Sequence, residues 1–240
     1  MIARFRDKRI TGIVSVLPES SILFDDEAKN YAFPERQTLR LKKIMGYSKH
    51  RVSKATTATS DLCVYGMDYL LENGLLKRDE ICALLVVTST QDYFMPNVSN
   101  IIQSHCGLPD TVLCLDMAQG CVGFIVGLLQ SFMLLEHFSG KVVLFNADVL
   151  SHKVSKQDRN SYPLIGDAAT ITIIENAQSP DITFNMRMDG SRGMALCIPA
   201  GGSRMPCTVK TAEMQPDADG NIRCLDNLRM DGSAVFEYVQ

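Results

Sequence analysis

The run Ile81-Cys-Ala-Leu-Leu-Val-Val-Thr88 is apolar from end to end and of strand length, the pattern of a strand buried on both faces. Two further runs repeat it. Thr111-Val-Leu-Cys-Leu-Asp-Met117 follows a predicted helix at 97–106, and Lys141-Val-Val-Leu-Phe-Asn-Ala147 follows the strongly apolar helix Val122 to Phe138. Strands alternating with helices in this way argue for right-handed βαβ units, and so for an α/β fold with a mainly parallel sheet and helices layered on both faces.

Working upstream, Leu62, Tyr65, Tyr69 and Leu70 recur at helical spacing between Thr59 and Asn73, and Asn73-Gly74 supplies a stop signal. Asp25 to Gly46 mixes charges with apolar residues and predicts one or two short helices. Ile10-Thr-Gly-Ile-Val-Ser-Val-Leu-Pro18 predicts an initial strand that a proline ends. Met1 to Asp7 is charged and short of apolar residues. Downstream, Gly166-Asp167 leads into a strand at Ala168-Ala-Thr-Ile-Thr-Ile-Ile-Glu175. The polar segment Asn176 to Asp181 marks a boundary before a new strand, Ile182-Thr-Phe-Asn-Met-Arg-Met188. A loop rich in Gly, Pro and Asp is expected from Pro199 to Asp226. Val235-Phe-Glu-Tyr-Val-Gln240 then has helical spacing without a finishing turn. The expected organisation is one α/β unit at 1–178, followed at 179–240 by the truncated beginning of a second.

The 240 residues are 46% hydrophobic and 21% charged, enough apolar content for a substantial core. A formal charge of -3 without long runs of either sign argues against nucleic acid as a partner. No stretch is long and apolar enough to span a membrane, so a cytoplasmic protein is expected. The eight cysteines form no CxxC pair and no zinc-finger spacing, so they read as reduced thiols, mostly in the core. His105-Cys106 is no exception, because adjacent side chains on a helix point in different directions.

Leu115-Asp-Met-Ala-Gln-Gly-Cys-Val-Gly-Phe124 sets Cys121 at the junction of a buried strand and an apolar helix. Unpaired N–H groups and the positive end of the macrodipole favour a thiolate there, so a depressed thiol pKa and a nucleophile are expected. Gly120 and Gly123 would let a substrate carbonyl and a thin arm approach the backbone, and the Cys121 amide could contribute to an oxyanion hole. The competing reading is a buried structural cysteine, since free cysteine is among the commonest core residues. Asp116 and Asp167 sit at strand ends, where capping or turn roles are the expectation rather than acid-base chemistry.

An ordered set of segments resembles β-ketoacyl-acyl-carrier-protein synthase III, a thiolase-fold condensing enzyme. The set runs Ile13 to Glu19, Val87-Thr-Ser-Thr-Gln-Asp-Tyr-Phe-Met-Pro96, Leu115 to Phe124, Ala147-Asp-Val-Leu-Ser151, Asp158-Arg159 and Ile165-Gly-Asp-Ala-Ala169. Ile198-Pro-Ala-Gly-Gly-Ser-Arg204 and Met230-Asp-Gly-Ser-Ala-Val-Phe236 complete it. The resemblance implies acyl transfer from a thioester to Cys121, then decarboxylation of malonyl-carrier protein and attack of the carbanion on the acyl-cysteine. It implies acyl-coenzyme A and acyl carrier protein as partners, a homodimer, and neither metal nor redox cofactor. It places Arg159 near the nucleotide, Phe236 along the substrate tunnel, and Met95 on a loop that closes the acyl pocket of a neighbouring subunit. The histidine and asparagine that complete the family site would come from a second half not reached by Gln240. None of His50, His105, His137 and His152 resembles that histidine; His137 is expected at a helix end and His152 in a surface loop.

The sequence departs from the family pattern at Arg40 and Ser48, where an adenine-clamping tryptophan and arginine would fall, so the donor is expected on a carrier protein or held differently. A catalytically incomplete acyl-binding or structural partner subunit is the alternative reading. A related hydroxymethylglutaryl-coenzyme A synthase and a cysteine hydrolase are further ones, the last without a histidine-carboxylate pair near Cys121.

Overall fold

The computed structural model describes residues 1–239, the side chains of Tyr238 and Val239 excepted. The charged beginning of the chain forms two strands, β1 (Ile2–Phe5) and β2 (Lys8–Val16). In β1 only Phe5 is buried, and its ring meets Phe132 and Phe184 edge-on at 5.6 and 5.8 Å. A short hairpin-like pairing of β3 (Ser21–Leu23) with β4 (Lys49–Arg51) brackets α1 (Phe24–Glu27) and α2 (Glu35–Met45). Gly46 ends α2 with φ of 72°, a left-handed conformation that suits glycine. Of the one or two short helices expected between 25 and 46, two are present, while β1, β3 and β4 are additions to the sequence reading.

The next elements alternate as expected: α3 (Thr59–Glu72), β5 (Ile81–Val87), α4 (Val98–His105), β6 (Leu113–Met117), α5 (Gly123–Leu134) and β7 (Lys141–Asp148). They are followed by β8 (Ala168–Asn176) and β9 (Ile182–Asn185), the latter shorter than the run to Met188 suggested. The expected loop from Pro199 contains β11 (Gln215–Pro216) and β12 (Ile222–Arg223), which pair with each other. Outside it β10 (Leu196–Cys197) pairs with β13 (Arg229–Met230). The last helix, α6 (Gly232–Val239), begins earlier than Val235 because Asp231 Oδ1 accepts the Ala234 N–H at 3.0 Å. The expected helical position of Gln240 lies outside the described residues.

Five strands make the central sheet in the order β2-β8-β7-β5-β6. β5 pairs in parallel with β6 and β7, as the βαβ pattern requires, whereas β8 runs antiparallel to both β7 and β2. The sheet is thus mixed, with β2, β5, β6 and β7 pointing one way and β8 the other. Alternate side chains of each strand enter different cores. Leu84, Val86, Val143, Phe145 and Ile171 pack with Leu62, Met67 and Ile102 on one side. Ala83, Leu85, Val87, Val142 and Leu144 pack with Leu128, Leu129 and Phe132 on the other. Helices α3 and α4 therefore cover one face and α5 the other, the layered α/β/α arrangement.

The chain divides into two compact units. One comprises Met1–Pro18, Lys54–Val149 and Asp167–Arg187, and contains the central sheet. The other is assembled from Glu19–Ser53, Leu150–Gly166 and the chain from Met188 onward. The second has its own small core of Val154, Tyr162 and Leu228. No helix among the described residues is long and apolar enough to cross a membrane.

Candidate active site

Open α/β sheets bind ligands beyond the carboxyl ends of their parallel strands. In the sheet-bearing unit those ends are Val87, Met117 and Asp148. Between β6 and α5 the Gln119 N–H donates to the Met117 carbonyl at 3.1 Å and the Gly123 N–H to the Gly120 carbonyl at 2.7 Å. These turns put Cys121 directly before Val122, the N-cap of α5, and leave it exposed. Among the described residues the Cys121 N–H meets no acceptor, and no side chain caps the helix. An exposed thiol thus shares the helix front with unengaged backbone donors.

The two flanking glycines differ in purpose. A Cβ on Gly120 would meet nothing within 4 Å, so this position is open to a ligand. A Cβ on Gly123 would lie 2.4 Å from Val87 Cγ1, and one on Gly127 2.6 Å from Leu144 Cδ1. Those two glycines bring α5 down onto β5 and β7. Gly123 is therefore a packing residue, not the ligand-access residue its position beside Cys121 suggested.

The carboxylates beside the loop are engaged. Asp116 accepts the Val98 N–H at 2.6 Å and the Ser99 N–H at 3.0 Å, which caps α4 from a neighbouring strand, in keeping with the expected capping role. Asp167 is almost fully buried. Asp148 accepts Thr88 Oγ1 at 3.1 Å, the Ser89 N–H at 2.8 Å and Thr90 Oγ1 at 2.9 Å, all on Oδ1. Burial pushes its carboxyl above the usual carboxylate range, against the pull of those donors. Sequence reasoning passed over Asp148 although it lies in a segment with family resemblance. Met95 belongs to the same unit and is 84% exposed, beside exposed Tyr93 and Phe94.

Arg159 and Phe236 lie in the second unit. Arg159 lines a cavity of about 700 Å³ together with Leu41, Met45, Asn160, Arg229 and Met230. Its guanidinium carbon sits 3.2 Å from the centroid of Phe33, a cation–π stack, and its backbone N–H donates to Asn221 Oδ1 at 3.2 Å. The Nε atoms of Arg159 and Arg229 are buried and have no partner in the protein. Phe236 is exposed on α6, outside that lining. Of the two positions expected to clamp adenine, Arg40 is exposed on α2, and the Ser48 carbonyl accepts the Phe24 N–H at 2.9 Å. Phe33 had no signal in the sequence beyond being an aromatic residue before a proline.

The histidines are accounted for elsewhere. His50 is buried, bonded to Glu27 at 2.8 Å and to the Ile165 carbonyl; His105 meets Asp68 at 3.3 Å. His137 follows the end of α5, and exposed His152 meets Ser53 Oγ at 3.1 Å. Among the described residues no group of three His, Cys, Asp or Glu side chains could hold a metal ion.

Comparison with known proteins adds four findings. The family model for 3-oxoacyl-(acyl-carrier-protein) synthase III matches residues 115–190, which include Cys121 and Arg159. A Campylobacter jejuni protein provisionally named 3-oxoacyl-(acyl-carrier-protein) synthase 3 is 30% identical over 98% of this chain and 67% of its own length. A β-ketoacyl-(acyl-carrier-protein) synthase III of Syntrophomonas wolfei is 32% identical over 80% of this chain and 56% of its own length. The crystal structure of a 3-oxoacyl-(acyl-carrier-protein) synthase from Burkholderia xenovorans superposes with a TM-score of 0.88 at 27% identity. That superposition covers 100% of this chain and 67% of the other.

Proposed function

This chain belongs to the 3-oxoacyl-(acyl-carrier-protein) synthase III family, and from that premise we propose that Cys121 is its acyl acceptor in a condensing acyltransferase. The observation that carries the proposal is the exposed thiol at the front of α5, next to an open Gly120 and an unengaged amide. The Cys121 sulfur attacks the thioester carbonyl, the Cys121 N–H supports the charge that develops on oxygen, and the donor thiol leaves. In the condensation that follows, malonyl-carrier protein loses carbon dioxide. Its carbanion attacks the acyl-cysteine carbonyl, and the Cys121 thiolate departs from the lengthened ketoacyl product. The chemistry calls for neither metal nor redox cofactor.

The cavity of the second unit is the proposed place for the phosphate-bearing arm of the donor. Arg159 and Arg229 both line it, with buried guanidinium nitrogens in want of an acceptor. The stack of Arg159 on Phe33 occupies one face of the guanidinium, which favours a carrier-borne arm over a nucleotide that must stack there. Family membership also supports a homodimer, whose second copy would cover the exposed Tyr93, Phe94 and Met95.

The test is intact mass after incubation with acetyl-coenzyme A, longer acyl-coenzyme A esters and acyl-carrier protein, beside a Cys121→Ala control. The expected result is a single acyl increment that the control lacks, larger with the carrier-borne donor. No increment with any donor would replace this reading with that of a non-catalytic partner subunit.

A further inference from the structure

Residues 88–90 leave the end of β5 and reach in two directions. On one side they are gathered by Asp148: Thr88 Oγ1, the Ser89 N–H and Thr90 Oγ1 all donate to its Oδ1, at 3.1, 2.8 and 2.9 Å. Thr90 Oγ1 in turn accepts the Val149 N–H at 2.9 Å, so the turn is tied to the last residue of β7 and to the residue after it. On the other side the Thr88 N–H donates to the Met117 carbonyl at 3.1 Å, and Ser89 Oγ approaches the Gln119 carbonyl at 3.5 Å. Met117 and Gln119 are the residues on which the Cys121 turn is built. Three parallel-strand ends are thereby linked, that of β7 through one carboxylate oxygen of Asp148 and that of β6 through the Met117 and Gln119 carbonyls.

We infer that Asp148 is a positioning residue for Cys121: its Oδ1 fixes the 88–90 turn, and that turn fixes the loop from which the thiol projects. The inference rests on the reading of Cys121 as the reacting group. Oδ1 takes every donor, so an amide in place of the carboxylate keeps the essential oxygen, whereas a methyl group removes it. Desolvation of the Asp148 carboxyl is the cost of this arrangement, which a position serving only to fill space would not carry.

The test reads the Cys121 thiol itself, in the full chain. Iodoacetamide alkylation is followed across a pH series by peptide mass, in the wild type, Asp148→Asn, Asp148→Ala and Ser89→Ala. Cys207 is the internal control, since it is the other exposed thiol and lies in the second unit. Expected are a fall of about tenfold in the limiting rate at Cys121 for Asp148→Ala, with an altered pH profile. Asp148→Asn should stay within about threefold of wild type, Ser89→Ala should show an intermediate loss, and Cys207 should be unchanged throughout. A Cys121 rate and profile unaltered in Asp148→Ala overturns the inference, as does a proportional change at Cys207. Should Asp148→Ala fail to fold, Ser89→Ala decides: an unchanged Cys121 rate overturns it. Alkylation needs no acyl donor, so failure of acyl transfer in the wild type would strike the functional reading and leave this measurement intact.

Discussion

Gly123 and Val87 approach so closely that a Cβ on the glycine would stand 2.4 Å from Val87 Cγ1. The helix that carries the candidate thiol at its front is thus seated directly on the last residue of β5. Val87 is almost fully buried, so it has nowhere to withdraw. Gly123→Ala is expected to destabilise the sheet-bearing unit by about 1–3 kcal/mol through overpacking. It should also slow Cys121 alkylation, because α5 can relieve the clash only by moving its first turn. A urea midpoint and an alkylation rate equal to wild type would contradict this.

Helix α4 depends on a side chain outside itself. Its N-cap Asn97 makes no side-chain capping bond, and Asp116 of β6 supplies both acceptors instead. Asp116→Ala should cost about 1–2 kcal/mol, measured by urea unfolding. Asp116→Asn, which retains one acceptor oxygen, should lose less.

The cysteines should label in a definite order. Burial pushes the thiols of Cys63, Cys82 and Cys114 up, and burial with the Asp68 carboxylate pushes Cys106 up to about 11. Exposed Cys207 is held up by desolvation and by the Asp226 carboxylate. Brief iodoacetamide treatment at pH 8 should modify Cys121 first, Cys207 more slowly, and Cys63 and Cys106 only on unfolding. Peptide mass mapping gives the order, and early label on Cys63 would be incompatible with this core.

In the second unit Arg223 joins two carboxylates, Asp217 and the fully buried Asp158, the latter at 3.1 Å. Burial raises the Asp217 carboxyl, but Asn221 and Arg223 outweigh it and hold the group below its ordinary 3.8. A carboxyl depressed on folding stabilises above its unfolded value and loses that contribution as pH falls through the folded one. Thermal melting should therefore weaken below about pH 4, and the acid-dependent part should shrink in Arg223→Met. At neutral pH that variant should lose about 3 kcal/mol, because Asp158 stays buried without its cation. An identical acid profile in the two proteins would show that Asp217 does not depend on Arg223.

How far the chain could be read in advance varied with the range of the forces involved. β5 and β7 were legible because both of their faces are buried, so each writes an apolar run. β6, expected to be buried like them, is a half-buried edge strand, and the Cys121 loop was legible because glycines punctuate it. The direction of β8 was not, since an apolar run reads alike in either sense and only its position between β7 and β2 sets it. β1 carries a weak signal because only the small Ala3 and Phe5 turn inward while Arg4 faces outward. Gly123 was seen as a glycine, but its use depends on Val87, far off in sequence. Phe33 beneath Arg159 is the same kind of case: neither residue announces the other.

The place of β8 in the sheet also dictates an order of assembly on the ribosome. β2 is finished early, yet its only partner in the central sheet is β8, at residues 168–176. β2 must therefore wait, unpaired and holding Val14 and Val16, while the parallel βαβ core from β5 to β7 emerges and closes locally. Synthesis interrupted before β8 would leave both β2 and the open edge of β7 unpaired, an invitation to intermolecular strand pairing.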